Sequence, residues 1–366
     1  MAPTPEILAL ANETTAVICC YNGERYLRDL IESIERQTAR PAKLIIVDNA
    51  STDASREIVK SEFPDALLVT LAKNDGPCPA RNRGLEVAKT KYVFAVDCDV
   101  ILRDDAIEKL LIAFLNNSTN HNELAAAEPR AVAEEDPALV QYDGAFFHYV
   151  GLLILRNFYV PAARAARPAI VEIDAFVSVA LLADRECLLS AGGFDPAFFI
   201  LFEDSDLSYR LRSSGKKIVS VEDSIVIHRG GTAGTSFRAG LYPARRVFLH
   251  SRNRWLFLIK NYQFSTLLLG LPGLILYELA AVVFAIMKFS PHAYVHGKLS
   301  FFYHLPAALA ARRITKTRRR VRDREFVRGG PLTLWPPLTA GRGTLVFSKI
   351  LDGSLRFFWT LTGGRS

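Results

Sequence analysis

The stretch Tyr92-Val93-Phe94-Ala95-Val96-Asp97-Cys98-Asp99 decides the fold. Its first five residues form an apolar run, and the chain leaves that run through two aspartates. An apolar run of this length reads as a strand buried on both faces. The same unit repeats upstream. Thr15–Cys20 is a β-branched and apolar strand, and Glu24–Gln37 places Leu27, Leu30, Ile31 and Ile34 at helical spacing. Leu44–Val47 is strand-like and runs into the turn-and-cap cluster Asp48-Asn49-Ala50-Ser51-Thr52-Asp53. Arg56–Phe63 is a helix stopped by Pro64, Ala66–Leu71 a strand, and Ala80–Ala88 a helix after the loop Asn74–Pro79. Repeated β-α units with apolar strands imply a parallel sheet covered by helices on both faces. Ligands of such sheets bind outside the carboxyl ends of the strands, where Asp48, Asn74–Arg81 and Asp97 then lie.

Beyond residue 104 the pattern is less regular. Asp105–Leu115 reads as a helix capped by Asp104, and residues 116–170 as loops and short helices. Ile170–Leu182 is strand-like. Glu203–Ser213 is a helix with acids in its first turn, and Lys217–Val221 and Ser224–Ile227 are two further strands. Thr266–Met287 is almost wholly apolar, with Glu278 its only charge and Pro272-Gly273 inside it. It is long enough to span a bilayer, which takes about 20 residues; helices lying in the interface or packed on the domain are the other reading. Leu299–Ala311 is apolar but too short to span. The basic run Arg312–Arg322 follows it directly, and Leu345–Phe347 and Leu355–Trp359 suggest an amphipathic contact at the end. Apolar helices beside Lys/Arg clusters suit an anionic membrane surface.

With 366 residues, half of them hydrophobic, the chain can build one large domain and an appendage. The net charge of +7 is concentrated in the basic run. No zinc finger or aromatic–basic RNA-binding signature accompanies it, so no nucleic-acid partner is expected. The five cysteines have no C-x-x-C spacing and read as reduced, mostly buried thiols. The first fifteen residues show no signal peptide, which sets the expectation of a chain that begins in the cytosol.

The chemistry sits in two acidic clusters and a histidine. Asp97-x-Asp99 at a strand end can hold a divalent cation, because a hard cation on a diphosphate takes one or two protein oxygens and fills its shell with phosphate and water. Glu203-Asp204-Ser205-Asp206 follows Gly192-Gly193-Phe194-Asp195-Pro196-Ala197-Phe198-Phe199. Acids in a first helical turn commonly just complement the macrodipole. A glycine pair and aromatic residues leading into them suit a site wall instead. His228 ends the strand before Arg229-Gly230-Gly231, a context fit for a metal ligand.

In this order the motifs are specific. They are Val17-Ile18-Cys19-Cys20-Tyr21-Asn22-Gly23-Glu24, Ile46–Asp53, Asn74-Asp75-Gly76 with Ala80-Arg81-Asn82-Arg83-Gly84, Asp97-Cys98-Asp99, Gly192–Asp195 with Phe198-Phe199, Glu203–Leu207 and His228. The chain resembles a family 2 glycosyltransferase of the GT-A fold, close to bacterial rhamnosyltransferase-like members, over about residues 14–260. The resemblance implies an α/β fold: a Rossmann-like, mostly parallel sheet flanked by helices, followed by C-terminal apolar helices and a basic tail. It implies a nucleotide-sugar-binding half (1–105) and an acceptor-binding and catalytic half (106–260); composition adds membrane-associated or transmembrane helices (261–311) and a basic amphipathic tail (312–366).

The roles it implies are these. Tyr21 and Glu24 contact the nucleoside, and Asp48 accepts from the base beside Asn49. Gly76 and Arg81 line the ribose and diphosphate, and Asp97 touches the ribose or the metal's water shell. Asp99 and His228 ligate Mn²⁺ or Mg²⁺. Asp204 is the general base, with Glu203 and Asp206 as alternatives. The expected reaction is inverting transfer from a nucleoside-diphosphate sugar to a hydroxyl of a lipid-linked or polysaccharide acceptor, at the cytoplasmic face of the inner membrane. Transfer to a polyprenyl phosphate and a non-catalytic, membrane-docked nucleotide-sugar-binding protein are the alternatives. Two segments depart from the family pattern, Val177-Ser178-Val179-Ala180 and Ile200-Leu201-Phe202; both lie where sugar and acceptor are expected. An oxidoreductase or P-loop enzyme is disfavoured, because neither G-x-G-x-x-G nor G-x-x-x-x-G-K-[ST] is present.

Overall fold

The computed structural model describes residues 2–117, 124–165, 170–230 and 242–364; Gly231, next to the candidate histidine, lies outside them. The strands are β1 (Thr14–Cys20), β2 (Lys43–Asp48), β3 (Leu67–Thr70), β4 (Tyr92–Asp97), β5 (Val100–Leu102), β6 (Leu124–Ala133) and β7 (Leu139–Tyr142). After them come β8 (Ala145–His148), β9 (Leu152–Leu155), β10 (Val160–Pro161), β11 (Ile170–Ile173), β12 (Ala180–Asp184), β13 (Lys217–His228) and β14 (Val327–Arg328). The helices begin with α1 (Pro5–Asn12), α2 (Leu27–Glu35), α3 (Ser55–Glu62), α4 (Pro77–Val87), α5 (Ala106–Asn116), α6 (Arg185–Ala191) and α7 (Glu203–Ser213). They end with α8 (Ala244–Asn261), α9 (Phe264–Leu269), α10 (Leu271–Met287), α11 (Pro291–Arg318), α12 (Asp323–Phe326) and α13 (Arg342–Leu361).

The chain divides into two compact units. The first holds residues 1–144, 156–212 and 216–230; the second holds 145–155, 213–215 and 231–366. The division is not serial, because the segment carrying β8 and β9 groups with the C-terminal part.

In the first unit, the described residues form one large mixed sheet in the order β10-β7-β6-β12-β4-β1-β2-β3, with β13 pairing β5, β6 and β11. β1 pairs β2 and β4 in parallel, and β2 pairs β3 in parallel. β12 is antiparallel to β4, so the parallel core is closed on one side by a reversed strand. Ala16, Ile18, Ile46, Val47, Val93 and Phe94 are at most 1% exposed, as two-sided burial of a parallel sheet requires.

The structure departs from the sequence reading in several places, most of all in residues 116–170, read as loops and short helices, where the described residues hold the strands β6 to β10. Lys217–Val221 and Ser224–Ile227 are one strand, β13, with a register break between Val221 and Ile225 against β6. The two-strand reading left Glu222 and Asp223 between the strands. Glu222 is instead buried, its carboxylate paired with Arg130 at 2.7 Å and Arg156 at 2.6 Å. Conversely, Ile170–Leu182 breaks into β11 and β12, and Asp174 just past β11 pairs with Arg212 at 3.2 Å. In the second unit the apolar piece Leu299–Ala311 is not separate from the basic run: α11 continues through Pro306 to Arg318. Among the described residues no helix is long and apolar enough to cross a membrane. All five cysteines are free thiols.

Candidate active site

The parallel strands deliver their polar residues to one edge. Cys20 lies opposite Asp48, Cys19 opposite Asp97, and Asp48 opposite Thr70. The chain builds outward from β1 to β2 and β3, then crosses back to place β4 on the other flank. That reversal opens a crevice at the ends of β1 and β4, the place where open α/β sheets bind ligands. Tyr21 is exposed at its mouth.

The first two motifs lock onto one another. Asn22 accepts from the Thr52 backbone N–H at 2.8 Å, and its own N–H donates to Ser51 Oγ at 2.9 Å. Glu24 accepts from the Ala54 N–H at 2.9 Å, which ties its carboxylate to the neighbouring loop. Asp48 is buried, accepts from the Ser51 N–H at 3.3 Å and lies 3.7 Å from Arg56 Nε. Asn49 donates to Asn74 Oδ1 at 3.0 Å and to the Gly76 carbonyl at 2.9 Å. Its Oδ1 is buried without a hydrogen-bond partner. Gly76 has φ +88, and a Cβ there would fall 2.4 Å from the Phe199 carbonyl oxygen, so only glycine fits.

Arg81 on α4 is the node of the site. It is 6% exposed. Its Nη2 donates to both oxygens of Asp97, at 2.9 and 3.1 Å, and its Nη1 lies 3.4 Å from Glu203 and 3.6 Å from Asp204. The guanidinium also stacks over the Phe194 ring, 5.2 Å from its centre. One permanent cation thus gathers three of the expected acids from β4 and α7. Asp204 is held further by Ser178, whose hydroxyl donates to Oδ1 and whose backbone N–H donates to Oδ2 at 3.2 Å. Asp206 is elsewhere: it is fully buried and accepts from Arg210 Nη2 at 2.7 Å, and Arg210 also donates to the Gly193 carbonyl at 2.6 Å. That set braces α7 against the glycine pair.

Burial and the neighbouring Asp204 carboxylate push the Glu203 carboxyl up to about 8, with Arg81 opposing the rise. The consequence for stability follows. Below the usual 4.5 the group is protonated in both folded and unfolded chains. As pH rises from there towards about 8, the unfolded chain releases the proton and the folded one keeps it, so stability falls through that window. Glu203→Gln is expected to lessen this fall. Thermal midpoints of wild type and variant across that window check it, and equal declines would contradict it.

On the other side of Asp97, Asp99 meets His228, with His228 Nε2 at 3.5 Å from Asp99 Oδ2. The pair is set by β13 against β5, where His228 lies opposite Val100. The Arg229 N–H donates to the Asp99 carbonyl at 2.9 Å, and a Cβ on Gly230 would strike Asp99 Oδ2 at 2.3 Å. His228 Nδ1 lies 3.0 Å from Gln141 Oε1. An amide oxygen only accepts, so Nδ1 donates to it, and Nε2 is the nitrogen that faces Asp99. Among the described residues no group of three or more metal-ligating side chains forms. A carboxylate and an imidazole nitrogen nevertheless fit a divalent cation that takes its remaining ligands from a diphosphate and water.

Sequence reasoning missed three contributors. Ser178 holds Asp204, and Gln141 orients His228. Glu128 on β6 is 1% exposed and accepts from the Val177 N–H at 2.8 Å, next to Ser178. Glu128 alone carried a signal: a single acid ending the run Leu124-Ala125-Ala126-Ala127.

Residues 15–122 match the family described as Glycosyl transferase family 2. Glycosyltransferase GlyA of Streptococcus pneumoniae serotype 4 is 38% identical over 101 residues, 27% of this chain and 14% of that protein. The chain therefore spans only a small part of that relative. N-acetylglucosaminyl-diphospho-decaprenol L-rhamnosyltransferase of Mycobacterium tuberculosis is 25% identical over 264 residues, 67% of this chain and 84% of that enzyme. A crystal structure of GalNAc-T7 with UDP, GalNAc and Mn²⁺ superposes with a TM-score of 0.55. It covers 80% of this chain and 57% of that one at 14% identity, a likeness of fold alone. Residues 15–122 thus match glycosyl transferase family 2, and the sheet that they open is of the GT-A type.

Proposed function

We propose that this glycosyltransferase moves a sugar, with inversion, from a nucleoside diphosphate to a hydroxyl of a lipid-linked or cell-envelope saccharide at the cytoplasmic face of the cell membrane. The observation that carries the reading is the Arg81 node: one buried guanidinium holding Asp97, Glu203 and Asp204 beside the β1/β4 crevice. The mycobacterial relative, whose name gives a sugar on a decaprenyl diphosphate as acceptor, supports the lipid-linked class.

The donor nucleoside lies over Tyr21 and against Asp48 and Asn49, with Gly76 letting the backbone approach closely. Asp204 takes the proton of the acceptor hydroxyl as its oxygen bonds to the anomeric carbon and the bond to the diphosphate breaks. Ser178 and Arg81 fix the carboxylate for that transfer. Glu203 keeps its own proton at neutral pH, which leaves the Arg81 charge to Asp97 and Asp204. Asp99 and His228 would hold Mn²⁺ or Mg²⁺, which when bound would offset the charge on the departing diphosphate.

A panel of UDP-, GDP- and dTDP-sugars tests the reading. The expected result is slow release of one nucleoside diphosphate with Mn²⁺ or Mg²⁺, stopped by EDTA. Asp99→Ala is expected to raise the metal concentration required. Release unchanged by EDTA would remove the metal from the scheme.

A further inference from the structure

The second unit leaves an unusual amount of apolar surface uncovered. On α10, Leu271, Ile275, Leu279, Val282 and Ile286 are all exposed. Their spacing of three and four residues puts them on one face. The single charge of the helix, Glu278, falls at the edge of that face by the same spacing, and its carboxylate is taken up by neighbouring side chains. It accepts from Trp255 Nε1 at 2.7 Å and pairs with Arg254 and Lys298. α10 packs against both α11 and α13. Those helices also keep apolar residues outward: Leu299 and Phe302 on α11, Ile350 and Phe357 on α13. Phe289, in the turn from α10 to α11, is 90% exposed and follows Lys288. Soluble monomers rarely leave contiguous apolar patches beyond a few hundred Å².

Charge selects the occupant. Arg313 and Lys316 are exposed at the end of α11, and Lys349 is exposed beside Ile350. Between Leu279 and Leu351 the sequence carries only two acids, Asp323 and Glu325. A second copy of the chain would bring the same cations to the same face, and like charges would meet. An anionic bilayer offers the opposite charge together with a hydrocarbon edge. The 17 residues of α10 fall short of a span, and none of the described helices is long and apolar enough to cross.

We propose that α10, α11 and α13 form a monotopic docking face that lies in the surface of an anionic membrane without crossing it. The inference deepens the lipid-linked-acceptor reading but does not need catalysis, so binding and activity can fail separately. The experiment is flotation of the full chain with vesicles of phosphatidylcholine alone and with phosphatidylglycerol added. The expected result is binding to the anionic vesicles, loss of that binding in high salt, and release by alkaline carbonate. Arg313→Ser and Lys316→Ser are each expected to weaken partitioning about fivefold, the equivalent of about 1 kcal/mol per basic residue. Ile275→Asp with Leu279→Asp is expected to abolish binding while unfolding and nucleoside-diphosphate binding stay unchanged. No binding, or a stable dimer in sedimentation that Ile275→Asp with Leu279→Asp dissociates, would overturn the proposal. Resistance to carbonate would overturn its non-spanning part.

Discussion

Asp204→Asn is expected to lower glycosyl transfer by about 10²–10⁴-fold, the usual contribution of general-base help. In barrier terms that is roughly 3–5 kcal/mol. Asparagine keeps the shape of the side chain but takes no proton from an attacking hydroxyl. It also meets a local conflict. The two oxygens of Asp204 receive donors, Ser178 Oγ on one and the Ser178 N–H on the other. An amide with its oxygen on the Ser178 N–H can donate its Nδ2–H to the Ser178 hydroxyl, but that nitrogen then faces Arg81 Nη1, 3.6 Å from Oδ1, so the charge contact is lost at a cost of about 1 kcal/mol. The fold and donor site are otherwise untouched. Calorimetry with nucleoside diphosphate is therefore expected to give near-normal binding, and turnover to collapse. Near-normal turnover would remove Asp204 from the role. Glu203→Gln is the paired control: collapse there, with Asp204→Asn still active, would move the base to Glu203.

Much of the first unit was legible because parallel strands buried on both faces are written as apolar runs, and their polar exits follow at once. Tyr92–Asp97 and Asp99 illustrate this: strand, edge and candidate ligand lie within eight residues. Legibility failed where a buried charge is satisfied from far along the chain. Glu222 fell outside both expected strands because nothing nearby shows that Arg130 and Arg156 neutralise it. Ser178 looked like a mere departure from pattern, although it holds Asp204 on α7. Gln141 and His228 meet across β7, β6 and β13, which local periodicity does not encode. At the other end, apolar composition left the second unit open between spanning and surface helices. Which residues face outward is decided by packing among α8, α10, α11 and α13, and the inward pairing of Glu278 is a product of that packing.

Arg81→Met is expected to cost the first unit about 3–5 kcal/mol, the usual penalty for removing one partner of a buried ion cluster. Methionine fills the space of the side chain, so the loss is one of charge rather than volume. Asp97 and Asp204, beside the protonated Glu203, would then face one another without their cation. Ser178 still engages Asp204, but the hydrogen bonds from Arg81 to both Asp97 oxygens disappear. Screening is weak here, because Arg81 is 6% exposed and Glu203 5%. A shift in thermal midpoint of roughly 10 °C is expected for a domain of this size. Arg81→Lys restores the charge but not the planar fork that reaches Asp97 with one nitrogen and the α7 acids with the other. It is expected to recover part of the stability and little of the transfer, since the carboxylates would no longer be held in one arrangement. A midpoint unchanged in Arg81→Met would mean that the acids are neutral or solvated in the folded protein. The node would then be no electrostatic anchor, and the base assignment to Asp204 would lose its positioning argument as well.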